Sequence, residues 1–207
     1  MQKLLDILVH SLYTEREIFL RELLSNSADA LSKVQFLALT SADQLLNPDA
    51  SLQIELSFDE EKQTITIEDT GCGMTREELI ENLGTIASSG TLKFLREAQQ
   101  SKQAVQNLIG QFGVGFYAVF MVADKVELTT RSWRPDSQAW SWNSSGNGQY
   151  ELAPASKEER GTKIVLHLKD EAKEFCNEYR LKSIVSKYSN YVSHPIQLKG
   201  ETINKVT

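Results

Sequence analysis

Hydrophobic residues recur at helical spacing in the N-terminal part of the chain and at alternate positions through most of the C-terminal part. Leu4, Leu5, Leu8 and Leu12 lie three and four residues apart, which predicts a first helix. Thr14-Glu-Arg-Glu17 has the form of a capping box and predicts a second helix running from Ile18 to about Leu39. At 100° per residue, Leu20, Leu23, Leu24, Leu31 and Val34 fall on one side of that helix. Glu22, Asn26, Asp29 and Lys33 form a narrow polar stripe on another side. Such a stripe is either an ordinary solvated face or an aligned set of functional groups. Asn26, a mediocre helix former in mid-helix, counts against the plain solvated face.

After the break at Asn47-Pro-Asp49, Leu52, Ile54, Leu56 and Phe58 alternate with polar residues as a half-buried strand does. Asp59 to Lys62 supplies a turn and Thr64 to Asp69 a second strand, so an antiparallel hairpin is expected. Thr75-Arg-Glu-Glu78 is a second capping box, opening a short helix through Leu79, Ile80 and Leu83, and another short helix is expected over Leu92 to Ala98. Strands are predicted at Val126–Thr130, Gln138–Trp142, Gln149–Leu152 and Gly161–Leu168, the first three as a meander. A charged helix from about Lys173 to Tyr191 should end at His194-Pro195. Trp133, Trp140 and Trp142 suit sheet packing. His10, His167 and His194 have no metal-ligand spacing and are expected to be structural.

With 207 residues and no repeat, low-complexity tract or linker, the simplest organisation is a single domain over 1–207. The net charge of −6 is interspersed and not blocked, and the absence of a basic patch argues against a nucleic-acid surface. Cys72 and Cys176 stand far apart without a C-x-x-C pair, which suggests neither a disulfide framework nor a zinc site and fits a reducing compartment. No stretch reads as a signal peptide or approaches the length of a membrane span, so a cytoplasmic location and no membrane partner are expected.

Candidate chemistry gathers where glycines interrupt these elements. Gly110-Gln-Phe-Gly-Val-Gly-Phe-Tyr117 places three glycines before an apolar, helix-compatible run. A glycine turn feeding a helix N-terminus presents unpaired N–H groups to an anion such as a phosphate, although close helix packing would use the same residues. It lacks the G-K-[ST] ending of a Walker loop and is not the G-x-G-x-x-G of a Rossmann turn. Asp69-Thr-Gly-Cys-Gly-Met74 sets a carboxylate at a strand end beside glycines that permit close approach of a ligand, or it is a plain turn. Gly161-Thr162 opens the last strand of the group. The segment between the glycine sites, from Asn82 through the polar stretch Gln99 to Asn107, reads as a hinged lid or as a flexible connection.

In this order and at these separations the stripe and the three glycine sites resemble the Bergerat nucleotide-binding site of the gyrase B, histidine kinase and MutL superfamily (GHKL). Ile18-Phe-Leu-Arg-Glu-Leu-Leu-Ser-Asn-Ser-Ala-Asp-Ala30, Asn82-Leu-Gly-Thr-Ile-Ala87, Ser89-Gly-Thr91 and Gly110 to Tyr117 are similar to the N-terminal ATPase domain of the 90-kilodalton heat-shock chaperones in their bacterial form. The resemblance covers essentially the whole chain. It implies an α+β two-layer sandwich, a mostly antiparallel sheet with helices on one face, that binds ATP or ADP with Mg²⁺ and drives the ATPase cycle of a protein-folding chaperone.

By the same resemblance, Glu22 is the general base and Asn26 the Mg²⁺ contact. Asp69 accepts from the adenine amino group, aided by Thr162. Met74, Leu83 and Phe116 wall the base, and Asn82 reaches ribose or phosphate. Amides from Gly113 through Val114 and Gly115 to Phe116 hold the distal phosphates, Asp29, Lys33 and Ser88 complete the nucleotide-binding set, and Ser88 to Gln111 form the lid. The family usually has a basic residue where Ser88 stands. The chain is expected to lack the family's leading strand and its middle and dimerisation domains. It should therefore be monomeric and turn over slowly alone, whereas the full-length form is a homodimer that acts on client proteins. A DNA-processing ATPase of the gyrase or mismatch-repair branch is disfavoured by the Ile18 to Leu23 and Gly110 to Tyr117 stretches, and a non-hydrolysing nucleotide sensor by the presence of Glu22.

Overall fold

The computed structural model describes residues 16–84, 114–147 and 149–206. The expected helices at Leu4–Leu12 and Leu92–Ala98, the segment from Ser88 to Gln111, and His10 lie outside the described residues. Strands β1 (Ile54–Asp59), β2 (Thr64–Asp69), β3 (Ala123–Arg131), β4 (Ala139–Ser144), β5 (Glu151–Ala155), β6 (Gly161–Leu168), β7 (Ile196–Leu198) and β8 (Glu201–Thr202) form one open sheet in the order β5-β4-β3-β6-β2-β1-β7-β8. Every pairing is antiparallel except β1 with β7. Helices α1 (Ile18–Thr40), α2 (Arg76–Gly84) and α3 (Glu178–Tyr188), together with an eight-residue 3₁₀ helix at Val114–Met121, complete an α+β fold.

The register explains why one face is covered. Leu56, Ile67, Ile164, Leu128 and Trp142 stand opposite one another across five strands, and Phe58, Ile65, Leu166 and Val126 form the next inward row. These rows, Leu20, Leu23, Leu24 and Leu31 of α1 and the buried Leu181, Ile184 and Val185 of α3 make the main core, while Val34 packs with Leu45 and Cys72 in a second cluster. The opposite face carries Glu55, Ser57, Glu68, Glu127, Lys163 and His167, as the two-residue period of a half-buried sheet demands. His167 pairs there with Glu127 at 2.9 Å, while His194 is buried next to β7.

The inward row at the end of β2 changes character. There Asp69 faces Thr162, and Thr162 faces Thr130. All three are buried polar residues at positions where the alternation calls for apolar ones.

Several local expectations change. Thr14 of the first expected capping box lies outside the described residues; its Glu17 is buried, and the carboxylate accepts from Lys187 Nζ at 2.5 Å, Tyr188 Oη at 2.7 Å and Arg180 Nη2 at 2.8 Å, tying the start of α1 to α3. The second box is formed as written, with Glu78 N donating to Thr75 Oγ1 at 3.2 Å and Thr75 N donating to Glu78 Oε2 at 2.8 Å. The run after the glycine turn is a 3₁₀ helix and not an α-helix. The charged helix is split: Asp170–Phe175 is 3₁₀, and α3 begins only after Asn177, whose side chain caps Arg180 N at 2.8 Å. Beyond it β7 and β8, three and two residues long, extend the sheet where none was foreseen.

Candidate nucleotide site

Between α1, α2 and the polar end of β2, β3 and β6 lies a cavity of about 600 Å³. Its deep end is built on Asp69. The Oδ1 oxygen accepts from Gly71 N at 2.9 Å and Thr162 N at 3.3 Å, and Oδ2 accepts from the Ser27 hydroxyl at 3.0 Å. Burial raises its pKa from 3.8 to about 6, against the lowering effect of those donors. Three converging donors hold the carboxylate at the cavity wall, where a ligand donor can meet its remaining acceptor capacity.

The chain can turn past Asp69 only because of glycine. Gly73 has φ +55°, and a β-carbon there would strike the carbonyl oxygen of Arg131. The close approach lets Trp133 N donate to Cys72 O at 2.8 Å and Met74 N donate to Thr130 Oγ1 at 3.0 Å, which sets Met74 against the sheet. Leu83 and Phe116 contribute further apolar wall. Phe116 packs edge-on against Trp142, and the Tyr117 hydroxyl donates to Leu83 O at 2.5 Å, so α2 and the 3₁₀ helix hold each other in place. Asn82, on the exposed side of α2, lies with Nδ2 3.6 Å from Met74 Sδ.

The polar stripe of α1 is spread along the site. Asn26 and Asp29 line the cavity and are exposed. Glu22 lies one turn nearer the N-terminus, about 6 Å along the axis. Its Oε1 accepts from Arg21 Nη2 at 2.8 Å, and its Oε2 abuts Gly115 so closely that a β-carbon there would collide with it. Lys33 is exposed and does not line the cavity. Ser88 and Gly113 lie outside the described residues, and Val114 is described only as the first residue of the 3₁₀ helix.

Several residues that line or brace the site were not among the expected ones, including Ser27, Cys72, Leu128, Thr130 and Ile164. Ser27 and Thr130 did carry a signal. Each is a small polar residue in phase with an apolar face, Ser27 with Leu20, Leu23, Leu24 and Leu31, and Thr130 with Val126 and Leu128.

Among the described residues no group of three or more His, Cys, Asp and Glu side chains could hold a metal ion, and no helix is long and apolar enough to cross a membrane. Both cysteines are free and buried.

The family described as histidine kinase-, DNA gyrase B-, and HSP90-like ATPase matches residues 13–174. The chain is 54% identical over 208 residues to the chaperone protein HtpG of Chlorobium phaeobacteroides, covering all of this chain and 33% of that protein. It is 51% identical over 208 residues to the chaperone protein HtpG of Chlorobium chlorochromatii, with the same coverage. It is 50% identical over 203 residues to the mitochondrial heat shock protein 75 kDa of Rattus norvegicus, covering 98% of this chain and 28% of that protein. The chain thus spans about a third of the length of the curated relatives it matches.

Proposed function

The chain belongs to the histidine kinase-, DNA gyrase B- and HSP90-like ATPases, and from that premise we propose that its cavity binds ATP and ADP and serves the ATPase cycle of a molecular chaperone. The observation that carries the reading is Asp69, a buried carboxylate held by Gly71, Thr162 and Ser27 at the end of a cavity otherwise walled by Met74, Leu83 and Phe116. A flat heteroaromatic base with an amino group suits that combination of apolar slot and anionic acceptor. Asn82 would meet the ribose or a phosphate.

Asn26 would offer its amide oxygen to Mg²⁺, with Asp29 close by. A single side-chain oxygen suits an ion that keeps waters and takes its other ligands from phosphates. When bound, the ion neutralises phosphate charge. The backbone from Gly113 to Phe116 would hold the distal phosphates, with Ser88 and Lys33 as further contacts.

Glu22 would act as general base. Its Oε1 is occupied by Arg21, and its Oε2 points to Gly115, within the Gly113 to Phe116 stretch assigned to the phosphates. A water there attacks the γ-phosphorus, the bond to the β–γ bridging oxygen breaks, ADP leaves with the electron pair, and Oε2 takes the water's proton.

The rest of the reading extends the resemblance drawn from the sequence. In the full-length protein the domain would work in a cytoplasmic homodimer that assists the folding of client proteins, and it would engage no nucleic acid. Alone it would be monomeric and turn over slowly. Isothermal titration with ADP and Mg²⁺ tests the binding reading: saturable one-to-one binding that GDP does not reproduce is expected, and no binding at millimolar ADP would refute it.

A further inference from the structure

Thr130 is wholly buried in β3 and belongs to none of the glycine motifs, yet its hydroxyl joins three segments that build the deep end of the cavity. Met74 N lies 3.0 Å from Thr130 Oγ1, Gly161 O 3.2 Å, and Thr162 Oγ1 2.9 Å. A hydroxyl has one proton and two lone pairs. The Met74 N–H can only donate and the Gly161 carbonyl can only accept. Thr130 therefore receives from Met74 and gives its proton to Gly161, which leaves one lone pair for Thr162. The Thr162 proton fills it, because two hydroxyl oxygens at 2.9 Å repel unless a proton lies between them.

With its proton turned inward, Thr162 faces the cavity with lone pairs only. Asp69, when ionised, is also an acceptor without a proton to give, and its two oxygens already receive Gly71 N, Thr162 N and the Ser27 hydroxyl. The sheet end of the cavity is then acceptor-only. We infer that Thr130 is a positioning residue that fixes the hydrogen-bond polarity of Thr162 and so makes the site favour a base edge bearing an amino group over one bearing an oxo group. This rests on the nucleotide reading of the cavity and names the feature that separates adenine from 6-oxo purines there.

The test compares ADP with IDP, its 6-oxo counterpart, by calorimetry on the wild-type chain, Thr130→Val and Thr130→Ser. Valine keeps the shape and removes the hydroxyl, which frees the Thr162 proton to point at the ligand. ADP affinity should fall about tenfold while IDP affinity holds or rises, so the ADP-to-IDP ratio shrinks by about tenfold or more. Serine should restore the wild-type ratio. Equal losses for both ligands, with the ratio unchanged, would mean that Thr130 only supports the fold and would overturn the inference. Because Thr130→Val leaves the Met74 N–H without its partner, Thr162→Val provides a check that does not disturb it. That variant should also lower the ratio, and a wild-type ratio would overturn the inference. If the wild-type chain bound neither ligand, the nucleotide reading itself would fall, a result distinct from loss of discrimination.

Discussion

Replacing Asp69 by Asn exchanges one buried oxygen for an NH₂ group and removes one charge. The Asn oxygen can keep the Gly71 and Thr162 amides, and its NH₂ can donate to Ser27 Oγ, whose hydroxyl is free to rotate. The local hydrogen bonds therefore survive. What disappears is the cost of a buried anion. The carboxyl is held near pKa 6 in the fold against 3.8 for the free group, a gap of about two pH units. At about 1.4 kcal/mol per unit this amounts to about 3 kcal/mol. The sign follows from proton counting: between pH 3.8 and about 6 the native state binds more protons than the unfolded state, so wild-type stability falls as pH rises through that window. Above it the full cost is present, and below it the cost is gone.

Asp69→Asn should thus match the wild type near pH 4 and exceed it by up to about 3 kcal/mol at pH 7. Binding should move the other way. An adenine amino group would face an NH₂ in place of a carboxylate oxygen, and an unpaired buried donor costs about 1–3 kcal/mol, so ADP affinity should drop about tenfold or more. Urea melts at both pH values, paired with ADP calorimetry at pH 7, measure the two effects on one preparation. Unchanged ADP affinity in the folded variant would remove Asp69 from the site. A variant less stable than wild type at pH 7 would refute the account of Asp69 as a destabilising buried charge.

Glu22→Ala should leave ADP affinity intact and lower ATP hydrolysis about 10²–10⁴-fold, as loss of a general base does; turnover at the parental rate would return the stripe on α1 to an ordinary solvated face. Gly115→Ala should reduce turnover about 10²-fold with little change in ADP affinity, since the new methyl displaces the Glu22 carboxylate and leaves the Asp69 end untouched. Single-turnover hydrolysis beside ADP titration separates the two. Glu17→Gln should cost about 2–4 kcal/mol at pH 7, because Lys187, Arg180 and Tyr188 hold that carboxyl near pKa 2 against an ordinary 4.5. Its contribution is present above pH 4.5 and lost as pH falls towards 2, so denaturant melts of variant and wild type should converge in acid.

How much of this was legible in the sequence depends on how local the determining physics is. The Thr75–Glu78 box was readable because its two hydrogen bonds join residues three apart. The β1–β2 hairpin was readable because both strands alternate and a four-residue turn joins them. The tie between Glu17 and α3 was hidden for the opposite reason: its partners lie more than 160 residues away, where no local pattern points. The placement of β6 between β3 and β2 was equally hidden, since nothing in a single strand names its neighbours. Strands of three and two residues are too short to show a period at all.

The site divides along the same line. Asp69 and Thr162 were visible because glycines flank them, and Gly73 and Gly161 are needed there in backbone conformations that other residues rarely adopt. Ser27 and Thr130 need no unusual backbone, so nothing beside them in sequence marks them. Their only signature is a polar residue where the period of a helix or strand demands an apolar one. Asp69 and Thr162 carry that signature too: each continues an inward row of Ile or Leu at two-residue steps. Four polar residues that break an apolar phase, one on α1 and three on adjacent strands, converge because the fold brings the interrupted faces together. A buried polar group is tolerated only when it is satisfied, so interruptions of this kind must find one another or leave an unpaired group in the core. In this chain they meet at the end of the cavity, and the acceptor capacity left over is what the site can offer a ligand.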